Sequence, residues 1–225
     1  MEIGHFKWLS EHKADLNIAS SGMLPVSKSD VEKLGEPTDI MKVLSDIYNV
    51  PTKAITLTHG TQEGNFAALS AIKGVVDQVV TVVPEYEPIR VLPRFLGLRQ
   101  VEIKVSDGLG ELINYVKPRT ALFFSNPNNP LGVYLSRGEI RDLADEARRK
   151  GSYLIIDSIF LEFVMNELRD LPLENTAYTF STSKFYTIDS FKVGWIIGDE
   201  ELIRRAVNVI NLVSPLVMGL EASYA

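Results

Sequence analysis

The amino-acid sequence predicts an α/β fold with a mainly parallel, seven-stranded sheet flanked by helices. Along its 225 residues, short runs rich in Val, Ile and Phe alternate with longer amphipathic stretches, which is the order of strand–helix–strand units. Several runs are apolar at consecutive positions, as strands covered on both faces are. The composition, 45% hydrophobic and 23% charged, is typical of a globular protein with a sizeable core.

Each element follows from a local pattern. Apolar runs predict strands at 55–58, 78–83, 100–104, 120–125, 153–157, 178–181 and 193–198. Helical spacing predicts helices at about 40–47, 61–73, 136–150 and 199–212. Ser136 and Glu139 form the capping-box pattern at the start of the third helix, and Asp199 is a typical N-cap for the fourth.

The first 36 residues are less regular than the rest. A short helix followed by a loop around Ser20-Ser21-Gly22 is predicted, and we expect residues 1–36 to form an arm against the main domain or a partner subunit. Residues 37–212 are expected to form one large domain, since domains of roughly 100–200 residues are common. Residues 213–225 are interpreted as the start of a connection to a further domain.

Charge and composition exclude several classes of function. Acidic residues number 29 against 23 basic ones, a net charge of −6 that argues against nucleic-acid binding. The absence of cysteine excludes thiolate catalysis, Cys-ligated zinc and disulfides. Neither an uncharged signal-peptide core nor a run of about 18 apolar residues is found, so we expect a cytoplasmic protein without membrane contact.

Polar residues follow five of the predicted strands, where open α/β sheets bind their ligands. They are His59-Gly60-Thr61, Tyr86, the asparagines of Ser125-Asn126-Pro127-Asn128-Asn129-Pro130-Leu131-Gly132, Asp157 and Lys184. A glycine turn entering a helix suits a phosphate, a tyrosine can stack on a planar ligand, and a lysine amine can attack a carbonyl. A buried carboxylate needs a cation or hydrogen-bond donors. Each residue alone also has an ordinary structural explanation.

The order of these motifs, with Ser-x-Ser-Lys and then Gly-Trp ten residues later, resembles the class I and II aminotransferases, which are pyridoxal-phosphate enzymes of fold type I. The resemblance runs from about residue 17 to Gly198. It implies that Lys184 holds pyridoxal 5′-phosphate as a Schiff base and that Asp157 pairs with its pyridinium nitrogen. It also implies that Asn129 bonds the phenolic oxygen while Tyr86 stacks on the ring.

The resemblance assigns the remaining positions as well. Cofactor binding then involves His59, Gly60, Thr61, Phe160, Ser181 and Lys192, and substrate binding involves Gly22 and Asn129. Phe160 stands where the family usually has tyrosine, and Lys192 stands where it usually has arginine, which alone can form a bidentate fork. Against the family, we expect these 225 residues to lack the small C-terminal domain whose arginine binds the substrate carboxylate.

The implied function is transfer of an amino group between an amino acid and a 2-oxo acid, within amino-acid metabolism, by a homodimer. A lyase or decarboxylase of the same fold and a truncated, non-catalytic cofactor-binding homologue remain alternatives. Ser181-x-x-Lys184 also fits a Ser–Lys hydrolase, but the companion motifs of that class are absent. His5 and His12 lack a third metal ligand.

Overall fold

The computed structural model describes residues 3–16, 18, 21–31, 33, 38–105, 108–189 and 191–214. Ser20, the stretch 34–36 and the segment 215–225, which belong to the predicted arm and connection, lie outside the described residues.

The described strands form one seven-stranded sheet. They are β1 (Ile55–Thr58), β2 (Gln78–Val83), β3 (Arg99–Lys104), β4 (Thr120–Ser125), β5 (Tyr153–Asp157), β6 (Thr176–Ser181) and β7 (Gly194–Gly198), in the order β1-β7-β6-β5-β4-β2-β3. All adjacent pairs are parallel except those of β7, which runs antiparallel to both β1 and β6. The predicted fold class is confirmed, and the predicted bounds differ only at the starts of β3, β6 and β7.

Helices cover the sheet and connect its strands. Those described are α1 (Gly4–Glu11), α2 (Lys28–Val31), α3 (Ile40–Tyr48), α4 (Gly60–Ala71), α5 (Glu87–Phe95), α6 (Arg137–Lys150) and α7 (Glu200–Val213). Both predicted caps are present, since the side chains of Ser136 and Asp199 accept backbone N–H groups of α6 and α7. The sequence pattern missed α5 because it contains two prolines, one in its first turn and Pro93 inside it.

The core lies on both faces of the sheet. Strands β4 and β6 are buried along their whole length, as their unbroken apolar runs predict. One cluster of buried side chains packs between the sheet and helices α3 and α6, and a second packs between the sheet and helices α4, α5 and α7. None of the described helices is long and apolar enough to span a membrane.

Gly194 lets β7 pass close to the turn that precedes α4. A Cβ atom on Gly194 would lie 2.6 Å from the carbonyl carbon of Gly60 and 2.7 Å from the carbonyl oxygen of Phe180. We expect Gly194→Ala to lower the free energy of unfolding by about 3 kcal/mol, because backbone atoms cannot make room for the methyl group. Urea unfolding measures this effect.

Gly138→Ala is the matched control. Gly138 lies exposed in α6, and an added Cβ would lie 4.0 Å from Ser136 Oγ, which is no closer than ordinary van der Waals contact. We expect this variant to lose no stability, since alanine favours a helix over glycine. Equal unfolding midpoints for the two variants would contradict the close approach at Gly194.

Candidate active site

The strand register brings the polar strand ends together along one edge of the sheet. Ser181 of β6 and Thr58 of β1 both lie opposite Gly194 of β7. Asp157, which ends β5, lies opposite Ser125, which ends β4. The predicted site residues follow these ends directly, so the fold collects them at the edge where open α/β sheets bind ligands.

The turn into α4 carries the predicted phosphate-binding residues. Gly60 has a φ of +76°, a left-handed backbone conformation that glycine adopts without strain. Thr61 is buried, and its Oγ1 has no hydrogen-bond partner in the described part of the chain. The carbonyl oxygen of Lys192 lies 4.0 Å from the position of a Cβ on Gly60, and Lys192 Nζ forms a 2.6 Å ion pair with Asp189. The amine of Lys192 is therefore already paired with a carboxylate.

The histidines have local partners. His59 precedes α4, and both its backbone N–H and its ring Nδ1 lie within 3.0 Å of Glu63 Oε2. His5 lies in α1, while His12 follows that helix with its ring stacked on Trp8 at a centroid distance of 4.5 Å. No group of three or more His, Cys, Asp or Glu side chains among the described residues could hold a metal ion.

Asp157 is buried at the end of β5 in a network of neutral donors. Asn65 Nδ2 donates to its Oδ2 at 2.7 Å, and the backbone N–H of Ile159 donates to its Oδ1 at 3.2 Å. Thr179 Oγ1 donates to Asn65 Oδ1 at 2.7 Å, which turns the amide nitrogen of Asn65 toward Asp157. Burial raises the pKa of Asp157 to about 6. A cationic group at this carboxylate would lower that pKa again.

Lys184 follows β6 and is half-buried. Its Nζ donates a 2.9 Å hydrogen bond to the carbonyl oxygen of Ser21, and burial lowers the pKa of its amine. A Cβ on Gly22, which has a φ of +96°, would lie 2.9 Å from Lys184 Cδ. The buried Ser181 donates from Oγ to the carbonyl oxygen of Val193 at 3.1 Å. The fold thus brings Gly22 of the N-terminal segment close to Lys184.

Tyr86 and Asn129 lie on neighbouring loops at the same sheet edge. Tyr86 is half-buried, with the ring of His5 against it in an edge-on contact at a centroid distance of 5.6 Å. Burial raises the pKa of the Tyr86 hydroxyl to about 12, so it stays protonated at neutral pH. Asn129 is half-buried, and its backbone N–H donates to Ser125 Oγ at 3.0 Å, which fixes the backbone from which its amide extends.

A run of aromatic rings lies beside Lys184. The ring centroids of the half-buried Phe160 and of Phe163 are 6.3 Å apart. The ring of Phe163 meets that of Phe185 edge-on, with a centroid distance of 5.2 Å. Phe160 therefore has an aromatic neighbour in Phe163, and it carries no hydroxyl.

Two buried residues of this edge, Asn65 and Glu85, were missed from the sequence. Asn65 lies one helical turn after Thr61 on the buried face of α4, so a polar residue at helical spacing was the available signal. Glu85 lies between a strand end and Tyr86, and its side chain accepts hydrogen bonds from Ser125 and Asn128. Acidic residues are mostly exposed in folded proteins, and only the fold shows that Glu85 is buried.

A third buried carboxyl, Glu162, lies near the Lys184 loop. Its Oε1 accepts from Tyr186 Oη at 2.6 Å and from Tyr48 Oη at 3.2 Å. Burial raises its pKa from 4.5 to about 7, so the folded chain keeps this proton to a higher pH than the unfolded chain does. Stability contributed by the protonated form is therefore lost as the pH rises from about 4.5 to 7.

We expect Glu162→Gln to reduce this pH dependence, because a glutamine keeps the acceptor for both tyrosines without ionising. The difference in free energy of unfolding between pH 5 and pH 7.5, measured with urea on the cofactor-free protein, should shrink by about 1–3 kcal/mol. Glu111→Gln, at an exposed residue, is the control and should leave the difference unchanged. A Glu162→Gln protein with the wild-type pH dependence would contradict the assignment.

The family model "Aminotransferase class I and II" matches residues 38–216 of the chain. The chain belongs to this family. The match covers the whole sheet and helices α3 to α7. Class I and II aminotransferases use pyridoxal phosphate, so the cofactor expected from the sequence motifs is that of the family.

Relatives and solved structures agree with the family. The chain is 24% identical over 177 residues to the aspartate aminotransferase of Streptomyces avermitilis, covering 72% of this chain and 43% of that protein. It is 30% identical over 146 residues to the histidinol-phosphate aminotransferase of Pelagibacter ubique, covering 60% of this chain and 39% of that protein. The chain thus spans less than half the length of these curated relatives.

Two solved structures show the same fold. A PLP-dependent aminotransferase from Streptococcus suis superposes with a TM-score of 0.84 at 19% identity, covering 100% of this chain and 70% of that one. The aspartate aminotransferase from Thermus thermophilus with maleate superposes with a TM-score of 0.77 at 19% identity, covering 92% of this chain and 62% of that one. The aminotransferase fold type I predicted from the motif order is confirmed.

Proposed function

We propose that this aminotransferase-family chain binds pyridoxal phosphate at the described sheet edge and moves an amino group between an amino acid and a 2-oxo acid. The observation that carries the proposal is the buried Asp157, whose hydrogen-bond partners are neutral, at the same strand-end edge that carries Lys184. A carboxylate in that setting matches a cationic ring nitrogen, and a half-buried amine matches an aldehyde.

The residues present fit the cofactor in three independent ways. Thr61 offers a buried hydroxyl without a partner in the described chain, at a helix N-terminus suited to phosphate. Asp157 offers a carboxylate for a ring N–H. Lys184 offers an amine whose pKa is lowered by burial, so more of it is unprotonated and nucleophilic at neutral pH.

When bound, pyridoxal phosphate supplies an electron sink that stabilises negative charge at the α-carbon of an amino acid. Asp157 keeps the ring nitrogen protonated, and Asn65 and Ile159 hold the carboxylate in a fixed orientation by donating to both of its oxygens. Lys184 Nζ would hold the aldehyde of the cofactor and would accept the proton from the substrate's α-carbon, and its position beside Gly22 fixes the reach of the amine.

Other residues bind and orient the cofactor. Tyr86 would provide the stacking face, and the Asn129 amide would donate to the phenolic oxygen. Gly60, Thr61 and Ser181 bind the phosphate, with Lys192 as a nearby point charge that Asp189 partly neutralises. His59, which is paired with Glu63, and Phe160, which lacks a hydroxyl, contribute the shape of the pocket.

The finer assignments are part of the same proposal. The chain acts as a cytoplasmic homodimer, with residues 1–36 as an arm, 37–212 as the pyridoxal-phosphate-binding large domain and 213–225 as the start of a connection to a small domain. Phe160 and the paired Lys192 favour one rival in particular, a homologue that binds the cofactor but does not complete transamination. Under the leading proposal, the substrates of this chain are an amino acid and a 2-oxo acid.

Borohydride trapping tests the proposal. The protein is mixed with pyridoxal phosphate, reduced with borohydride and digested, and the modified peptide is identified by mass spectrometry. We expect a single modified residue, Lys184, and conversion of the bound cofactor to its amine form when an amino acid is added before reduction. Modification at scattered lysines would contradict the site, whereas ammonia release without a second substrate would indicate a lyase.

A further inference from the structure

The buried carboxylate of Glu85 lies between the loops that carry Tyr86 and Asn129. Its Oε1 accepts from Ser125 Oγ at 2.5 Å and from the backbone N–H of Tyr86 at 2.8 Å. Its Oε2 accepts from the backbone N–H of Ser125 at 2.9 Å and from Asn128 Nδ2 at 3.2 Å. Four bonds accepted by two oxygens is the pattern of an ionised carboxylate, which has only acceptor sites.

Ser125 extends this link to the residue that would meet the cofactor. Its Oγ donates to Glu85 and at the same time accepts from the backbone N–H of Asn129 at 3.0 Å. Asn128 adds a second tie, since its Nδ2 also lies 3.2 Å from the carbonyl oxygen of Pro84. The loop that follows β4 is thus joined to the end of β2 by the Glu85 carboxylate and by the hydrogen bond from Asn128 to Pro84.

This arrangement costs stability. Glu85 is only 6% exposed, and its hydrogen-bond partners in the described chain are all neutral. Burial raises its pKa to about 7, which means that the ionised form is disfavoured despite the four bonds. A buried charge without a cationic partner does not stabilise the fold, so the contribution of Glu85 that remains is to the geometry of the two loops.

We propose that Glu85 is a positioning residue that fixes the Asn129 loop relative to Tyr86, so that both side chains can contact the same cofactor ring. This inference rests on the proposed function. Glu85 acts through Ser125 and the backbone of Asn129 and does not itself touch the cofactor.

A double-mutant cycle tests the role. Cofactor-free protein is titrated with pyridoxal phosphate, and binding is followed by absorbance and by visible circular dichroism of the bound ring. We expect Glu85→Gln to weaken binding about tenfold, since hydrogen bonds to a charged group are lost, and to alter the dichroism. In an Asn129→Ala background the same change should cost threefold or less, because the residue to be positioned has been removed.

Equal losses in the two backgrounds would overturn the proposal, because a merely structural effect does not depend on Asn129. Ser125→Ala keeps the carboxylate and removes the bridging hydroxyl, so its effect on cofactor binding should show the same dependence on Asn129. If Glu85→Gln does not fold, the cycle with Ser125→Ala takes its place. Glu111→Gln is the exposed control. A wild-type chain that binds no pyridoxal phosphate would overturn the proposed function together with this role, whereas normal wild-type binding with an unaltered Glu85→Gln titration would overturn the role alone.

Discussion

Replacing Lys184 with alanine is expected to abolish the borohydride-trapped attachment of pyridoxal phosphate and to reduce transamination by at least about three orders of magnitude. The variant loses both the amine that attacks the aldehyde and the base that moves the α-proton. The fold should persist, because the half-buried side chain makes one hydrogen bond, to the carbonyl oxygen of Ser21. Absorbance of the bound cofactor and initial rates with an amino acid and a 2-oxo acid measure both effects.

Lys73→Ala is the matched control for this prediction. Lys73 is exposed just after α4, away from the strand-end edge, so its loss should change neither attachment nor rate. Wild-type trapping in the Lys184→Ala protein would show that another lysine holds the cofactor and would overturn the assignment.

Asp157→Asn is expected to lower the transamination rate by about two to three orders of magnitude while leaving the fold intact. An amide cannot keep a ring nitrogen protonated, and loss of one partner of a buried charge pair costs about 2–5 kcal/mol. The free energy of unfolding of the cofactor-free protein should change by no more than about 1 kcal/mol. The carboxylate that is removed was buried at a cost, and this gain offsets the acceptor lost to Asn65 or Ile159.

The pH dependence of stability gives this second prediction a separate readout. Because burial raises the pKa of Asp157 from 3.8 to about 6, the protonated form stabilises the cofactor-free fold, and this contribution is lost as the pH rises from about 4 to 6. Asp157→Asn should remove that part of the pH dependence. Asp142→Asn, at an exposed residue of α6, should leave both rate and pH dependence unchanged, and an unaltered rate in Asp157→Asn would contradict the pairing.

Much of the fold could be predicted because its signals are local. The apolar runs that form β4 and β5 and the capping residues of α6 are readable within a few positions of the chain. The reversed direction of β7 could not be predicted, since an apolar run has the same pattern in either orientation. Helix α5 was missed because Pro93 argues against a helix, although tertiary packing buries that residue within one.

The residues of the site also differ in whether the sequence alone could predict them. Lys184, Asp157 and Asn129 lie at strand ends or within four residues after them, so chain order alone predicted that they share an edge. Asn65 and Glu85 act through partners far away in sequence, and nothing local distinguishes a buried carboxylate from an exposed one. The burial that raises the pKa of Glu85 is a property of the assembled sheet and not of the residues beside it.

The antiparallel direction of β7 has a consequence for how the Lys184 loop can move. The chain leaves β6 at Ser181 and re-enters the sheet opposite it at Gly194, so the loop is a hairpin closed at its base. Two backbone hydrogen bonds of Thr182 hold that base together: its N–H donates to the carbonyl oxygen of Val193, and its carbonyl oxygen accepts from the N–H of Ile188. Opening the base of the loop would therefore require local unpairing of β6 and β7, each of which is paired on both sides, and the Thr182 amide should exchange with solvent as slowly as those of the core.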